Sequence, residues 1–339
     1  MEASFFRLLE HPDTTFTLRI ERCVLRFRHP ARLSRGELRE REVFLVHARA
    51  ADGRIGVGEC SPLPGRSPEA SDHYAERLAA LCAATERAQA LRPELLRGQS
   101  AARFGLEAAL ADMLGLWQRH RPLCRRIELH GLIWRDSAAA MLRAMEARAR
   151  EGFRCLKFKL GALPWTEESA LVREAARRFP HCRLHGDANG AYTEAPLERA
   201  RELAEAGLHL LEQPLPPGDP RLPEFLSTAP LPIALDEELT GFEGDKNAFL
   251  RRLRPACIVV KPTLHGGLRG AWEWECAARA QGCRVLLNSA LEGSVGLGAL
   301  ARWCVRRSLG APQGLGTGQL YADDSPSALR YHPPYLEFL

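Results

Sequence analysis

The sequence predicts an α/β protein: an N-terminal α+β unit followed by a closed parallel barrel of the TIM type, (β/α)7β. Three observations predict it. From residue 127 onward, short apolar runs alternate with stretches of helical period, the pattern of βα units on a parallel sheet. Five consecutive runs (CLKFKLG, LHGDANGAY, LLEQPLP, IALDEEL and IVVKPTL) each end in a charged residue, in order Lys159, Asp187, Glu212, Asp236 and Lys261. Their spacings of 28, 25, 24 and 25 residues match a strand, a return helix and two loops. Before residue 127 the order differs, with strands first and helices after.

Residues 15–27 and 42–50 read as strands, and Asp52-Gly53 is a turn dipeptide joining 43–50 to 55–59 as a hairpin. The Pro/Gly-rich loop GECSPLPGRSPEA follows. Ser67-Pro68-Glu69 offers an N-cap, a proline at the first helical position and an early acid, which predicts a helix from there through about residue 92. A second helix over 101–118 lines up Phe104, Leu106, Ala109, Leu110, Met113, Leu114 and Trp117 on one side.

IELHGLI is strand one of the barrel, and 137–151 its helix. FRCLKFKLG is strand two, with a helix over 166–179 capped by Thr166. CRLHGDA, LHLLEQP, LPIALDE, ACIVVKP and CRVLLNS are strands three to seven, with helices at 195–206, 244–252, 268–281 and 294–307. Residues 314–320 are the candidate for strand eight. The expected domains are 1–122, a barrel over 123–320, and a C-terminal segment, 321–339, packing back on the N-terminal unit.

Bulk properties exclude several function classes. The net charge of +5 comes from 47 basic against 42 acidic residues, so the charge is dispersed. Basic runs are short and lack interleaved aromatics, which argues against a nucleic-acid partner. No apolar run approaches the length of a membrane span, and MEASFFRLLEHPD carries charge too early for a signal peptide. The ten cysteines include no Cys-x-x-Cys; Cys155, Cys257 and Cys283 sit in apolar strands and read as reduced core residues of a cytoplasmic protein.

In a parallel barrel the C-terminal strand ends converge on the active site. Asp187, Glu212 and Asp236 on adjacent strands are three hard oxygen donors, which suit Mg2+ better than zinc. Lys157 and Lys159 are two apart and share the inward side, with Phe158 facing the helices. A lysine partly desolvated beside another cation is expected to have a lowered pKa and to act as a base. Lys261 reaches the same cavity from strand six. The expected reaction is abstraction of the proton next to a substrate carboxylate, giving an enediolate stabilised by metal and the second lysine.

These residues resemble the enolase superfamily: a Lys-x-Lys strand, acidic ligands on the next three strands and a lysine on the sixth. GECSPLPGRS, RFGLEAALADM, VVKPTLHGGL and LLNSALEGSVGLGALA are further similar to passages of its o-succinylbenzoate synthases. The resemblance implies an enolase-like fold, with an N-terminal capping domain. It implies Mg2+, with Mn2+ as a substitute, held by Asp187, Glu212 and Asp236, with Asn189 and Glu237 beside them. Lys159 would be the acid/base and Lys261 the opposing cation. Lys157, Ser289, Gly293 and Ser294 would bind the substrate, the last three through backbone N–H groups opening a helix. The loop 61–67 would close over the ring. The implied reaction is dehydration of 2-succinyl-6-hydroxy-2,4-cyclohexadiene-1-carboxylate to o-succinylbenzoate in menaquinone biosynthesis, with N-acylamino acid racemisation or dipeptide epimerisation as the alternative and a non-catalytic metal-binding barrel as the least favoured reading. The implied partner is a small carboxylate, and the oligomeric state stays open. His185, where some relatives have Arg, is expected to be a hydrogen-bonded core residue, and Gln213, where some have Glu, is expected to matter little.

Overall fold

The structure, a computed structural model, describes residues 2–33, 36–118, 126–310, 312–322 and 328–339. It opens on a helix that the sequence reading did not assign, α1 (Glu2–Glu10), whose Phe5, Phe6 and Leu9 are buried. A three-stranded antiparallel sheet follows, β1 (Phe16–Leu33), β2 (Gly36–Ala50) and β3 (Ile55–Cys60). The hairpin of β1 and β2 runs past the expected ends, with a register shift between Arg26 and Ala31. Its buried face changes along its length. Phe44, Val46 and Ala48 join the main core, whereas Leu25, Phe27, Ala31 and Val43 form a separate cluster with Leu63, Leu264, Ala290, Leu291 and Tyr321 over the barrel mouth.

Two helices pack on this sheet, α2 (Tyr74–Ala88) and α3 (Ser100–Met113). The helix expected from Ser67 therefore starts seven residues later. Ser67 Oγ instead accepts from Leu63 N at 2.8 Å, and the Glu69 carboxylate accepts from Ala101 N at 2.5 Å, so the acid caps α3 rather than its own segment. The helix expected to reach residue 118 stops at Met113, where Gly115 takes φ +63°. β3 and α3 meet backbone to backbone: a Cβ on Gly58 would lie 1.9 Å from Gly105 O, so only glycine permits that approach.

The barrel holds seven parallel strands in the order β11-β10-β9-β8-β7-β6-β5. These are β5 (Gly131–Ile133), β6 (Cys155–Lys159), β7 (Arg183–Asp187), β8 (Leu210–Glu212), β9 (Ile233–Leu235), β10 (Cys257–Val260) and β11 (Arg284–Leu287). Strand one is split, because β4 (Arg126–Glu128) turns away to pair with the C-terminal segment. Strand eight, expected over 314–320, shrinks to two residues. Gln313 exchanges backbone hydrogen bonds with Glu128 and His130, and Gly314 with Leu287 and Ser289. That closes the ring; residues 316–319 then turn, and the chain crosses to β1, where Tyr321 bridges Phe27.

The helices between the strands are α4 (Ala138–Arg150), α5 (Trp165–Arg178), α6 (Pro196–Glu205), α7 (Leu222–Thr228), α8 (Lys246–Leu253), α9 (Gly267–Ala280) and α10 (Ser294–Arg306). α7 was not among the predicted elements. The expected cap Thr166 lies inside α5, one residue past its start.

The C-terminal segment departs from expectation. Residues 320–322 do bond to β1. However, β12 (Leu329–His332) and β13 (Tyr335–Phe338) form an antiparallel pair that docks on β4, at the start of the barrel. The expected boundary at 122/123 lies outside the described residues. Among the described residues, no helix is long and apolar enough to cross a membrane.

Three buried charges of the N-terminal unit hold it to the barrel. Glu107 of α3 accepts from Leu268 N (2.6 Å) and Arg269 N (3.2 Å) at the start of α9. Glu59 of β3 accepts from Gly293 N and Gly296 N (2.8 Å each) at the start of α10. Both are negative groups at helix N-termini, where the dipole favours them. Arg41 of β2 donates to Ala290 O and Leu291 O (2.6 Å each) and to Ser61 O.

Candidate active site

Strand alternation aims Lys157, Lys159, His185 and Asp187 into the barrel, while Leu156 and Phe158 pack against helices. The register pairs Lys157 with His185, Lys159 with Asp187 and Asp187 with Glu212, so the charges lie in layers across neighbouring strands. Ligand oxygens of Asp187, Glu212 and Asp236 lie within 4.8 Å of one another, all buried. Each is met by a lysine. Lys157 Nζ is 2.5 Å from Glu212 and 3.6 Å from Asp187. Lys159 Nζ donates to Asp187 at 2.7 Å and to Asn189 Oδ1 at 2.9 Å. Lys261 Nζ donates to Asp236.

The electrostatics correct one expectation. Burial opposes the charge on Lys157, but Glu212, Asp187 and Asp236 outweigh it and raise its pKa. Lys261 is likewise raised, by Asp236 and then Glu237 against burial. Lysines in direct contact with carboxylates are stabilised as cations, so the expected lowering does not hold for these two. Burial also works against the charge on Asp187 and Asp236, yet the lysines hold both low. Burial and then Asp187 push Glu212 up to about 8. Three converging carboxylates, one of them resisting ionisation, are a concentrated negative site with hard oxygen donors. A divalent cation of the Mg2+ or Ca2+ kind fits that donor set.

A cavity of about 130 Å³ lies against this cluster, bordered by Lys157, Lys159, Lys261, Asp187, Asn189, Asp236 and Glu237. Its roof comes from the loop 61–67 through Leu63 and Arg66, and its far wall from Ser289, Ala290 and Leu291. Arg66 Nη1 bonds Glu237 Oε1 at 2.8 Å, and Asn189 Nδ2 donates to the same oxygen at 3.0 Å.

Residues 140–311 match the Enolase C-terminal domain-like family. An o-succinylbenzoate synthase of Desulfotalea psychrophila is 33% identical, with 92% of this chain and 96% of that one covered. The chain belongs to the o-succinylbenzoate synthase family of the enolase superfamily, a family of lyases. A synthase of an Enterobacter strain is 31% identical over 78% of this chain and 79% of its own. Among solved structures, MenC from Desulfotalea psychrophila superposes with a TM-score of 0.79 at 30% identity, covering 96% of this chain and all of that one. The L-Ala-D/L-Glu epimerase from Bacillus subtilis reaches 0.84 at 20% identity over 96% of each chain, a likeness of fold.

Set within the o-succinylbenzoate synthase family, the positions divide into two groups. Lys157, Lys159, Asp187, Asn189, Glu212, Asp236, Glu237 and Lys261 come together. The α10 N-terminus does not present a free anion site. Gly293 N is taken by Glu59, Ala290 N by Glu292 and Leu291 N by Ser289 Oγ, whose hydroxyl also bonds Glu292 (2.5 Å) and Thr317 (2.8 Å). Ser289 borders the cavity; Gly293 and Ser294 are not among its lining residues. The carboxylates of Glu59 and Glu292 already occupy donors that a substrate carboxylate would need.

Sequence reasoning expected Gln213 to matter little and passed over Arg41 and Glu59, yet all three shape the site. Gln213, buried at φ +40°, accepts from Asp236 N at 3.0 Å and donates to Leu215 O at 2.9 Å, so it fixes the strand end that carries Asp236. Arg41 joins the roof to the far wall. Arg41 and Glu59 are buried charges on strands of the N-terminal unit, and nothing local in the sequence separates them from exposed ones. His185 is buried as expected, but its Nδ1 has no hydrogen-bond partner. Burial, then Lys157, lowers its pKa to about 3, so the ring is neutral.

Proposed function

We propose that this protein is a Mg2+-dependent o-succinylbenzoate synthase, in which Lys159 and Lys261 work on opposite sides of the bound ring. The observation that carries the reading is the placement of these two lysines. They stand at the ends of β6 and β10, four places apart in the curled sheet. Each is anchored on a different carboxylate of the triad, and both border one cavity.

Asp187, Glu212 and Asp236 would hold Mg2+, or Mn2+ in its place, and the bound ion would supply positive charge for the substrate carboxylate. Lys159 takes the proton from the ring carbon bearing that carboxylate. The electron pair of the broken C–H bond passes into the carboxylate, and Lys261 offsets the charge from the other face. Lys159 then returns the proton to the departing hydroxyl on its own face, so water leaves and the ring becomes aromatic. Lys157 orients the carboxylate, and Asn189 and Glu237 fix Lys159 and Arg66. Leu63 and Arg66 exclude water. The nine cysteines among the described residues are all free, which favours a reducing cytoplasm as the location.

A racemase or epimerase reading keeps one point in its favour: a lysine on either face can serve as a base for either stereochemistry. The test is direct. Purified protein with Mg2+ is given the cyclohexadiene carboxylate, and loss of its ultraviolet absorbance is followed. Turnover supports the synthase. No turnover, with α-proton exchange on N-succinyl amino acids or dipeptides, replaces it with the second reading.

A further inference from the structure

Beside and below Lys157 the barrel interior holds a group that the proposed reaction does not use: His130, Cys155 and His185. They come from three adjacent staves. Cys155 lies two residues before Lys157 on β6 and so shares its inward side. His185 pairs with Lys157 across β7. The register of β5 against β6 sets Gly131 beside Leu156, which brings His130 to the level of Cys155. One donor atom of each, an imidazole nitrogen or the thiol sulfur, lies within 4.8 Å of the others, and all three residues are buried. The two imidazoles meet edge to face at 5.4 Å between centroids.

Three of the four ring nitrogens make no hydrogen bond of ordinary geometry, and the Pro312 backbone acts only weakly on His130. His130 is 3% exposed, yet neither Nδ1 nor Nε2 has a hydrogen-bond partner, and Nδ1 of His185 has none either. Buried polar atoms left without partners are rare and call for a ligand or ordered water. We propose that His130, Cys155 and His185 form a second cation site, selective for a soft divalent ion such as Zn2+ and separate from the Asp187–Glu212–Asp236 triad.

Two neutral imidazoles and a thiolate are donors that zinc prefers and magnesium does not. On binding, the Cys155 thiol gives its proton to solvent, the S–H bond is replaced by a sulfur–metal bond, and the thiolate lowers the net charge brought into the barrel. Lys157, beside and above this group, is already paired with Glu212. Entry is open from the substrate side, because His130 borders the active-site cavity. The two sites differ in kind: oxygen donors at the strand ends, nitrogen and sulfur donors one layer deeper.

The experiment uses the chelator-treated full chain in saturating Mg2+, titrated with Co2+, whose thiolate charge-transfer band reports sulfur ligation. We expect one equivalent of Co2+ per chain to raise the band. Cys155→Ala should abolish it, and His130→Gln, which removes a direct ligand, should weaken binding by at least the roughly 10–100-fold that loss of an outer-shell partner costs. Asp187→Asn should retain the band. Crystals of the wild-type chain soaked in Zn2+ should show anomalous density between the three side chains, which removes any dependence on how the variants fold. Absence of the band in the wild type, its persistence in Cys155→Ala, or water-height density alone between the rings would overturn the assignment.

Discussion

Replacing Arg41 with alanine tests how the cavity walls are held. The side chain is 3% exposed and donates to three backbone carbonyls, those of Ala290, Leu291 and Ser61. Leu291 O retains the Tyr321 hydroxyl at 2.5 Å, so the loss falls mainly on the other two. An orphaned buried acceptor costs roughly 1–3 kcal/mol, which sets the expected destabilisation at about 3 kcal/mol. Part of any larger loss is offset, because Arg41 Nε has no partner in the folded state. Arg41→Lys keeps the charge without the fork, and its single ammonium should recover less than half. Urea unfolding followed by tryptophan fluorescence gives the free energies, and substrate saturation should show KM rising more than kcat falls, since the loops it joins line the cavity. An Arg41→Ala protein within about 0.5 kcal/mol of wild type, with unchanged KM, would refute this account of the two walls.

Other expectations follow from the same geometry. Lys159→Ala should lower turnover by about 100-fold or more with an unchanged circular dichroism spectrum; wild-type rates would remove it as the base. Asp236→Asn should weaken Mg2+ binding measured by calorimetry, and an unaltered titration would take it out of the ligand set. Burial pushes the Glu107 carboxyl up, against the pull of Arg103 and Arg269 N. The folded state therefore holds a proton that the unfolded chain has released, and that contribution is full below about pH 4.3 and lost as pH rises through the folded value. The melting temperature of wild type relative to Glu107→Gln should accordingly fall between pH 5 and pH 8; a constant difference would contradict it. Gly105→Ala would place a Cβ 2.2 Å from Cys60 Sγ and 2.9 Å from backbone atoms of residues 59 and 60, and should cost about 1–3 kcal/mol in chemical denaturation; no loss would mean that β3 and α3 can part freely.

The charged strand ends were legible because parallel strands repeat one geometry at a fixed chain interval. Lys159, Asp187, Glu212, Asp236 and Lys261 each follow a local apolar run, and local runs are what a sequence displays. Strand eight was misjudged for the opposite reason: residues 314–320 were expected to form it, but only Gln313 and Gly314 pair before the chain turns and leaves for β1. The pairing of β4 with β13 and the contacts of Arg41 and Glu59 depend on partners far along the chain. Arg41 meets Ala290 249 residues away, and Glu59 meets Gly293 234 residues away. Such a charge looks the same in sequence as an exposed one at the same strand position. The α10 N-terminus shows the converse error: a Gly/Ser-rich helix start resembles an anion site, and here an acid of the chain itself fills it.

The caps on α9 and α10 limit how this protein can be recombined. Two helices of the barrel take their first acceptors from residues encoded in the opening third of the gene. A chimera joining this barrel to the front half of a relative inherits either matching acids at the positions of Glu59 and Glu107 or two helix starts with bare donors facing a foreign surface. Crossovers between family members are therefore safest where both halves of these contacts travel together, and the front segment and the barrel of this chain are a matched pair rather than exchangeable modules.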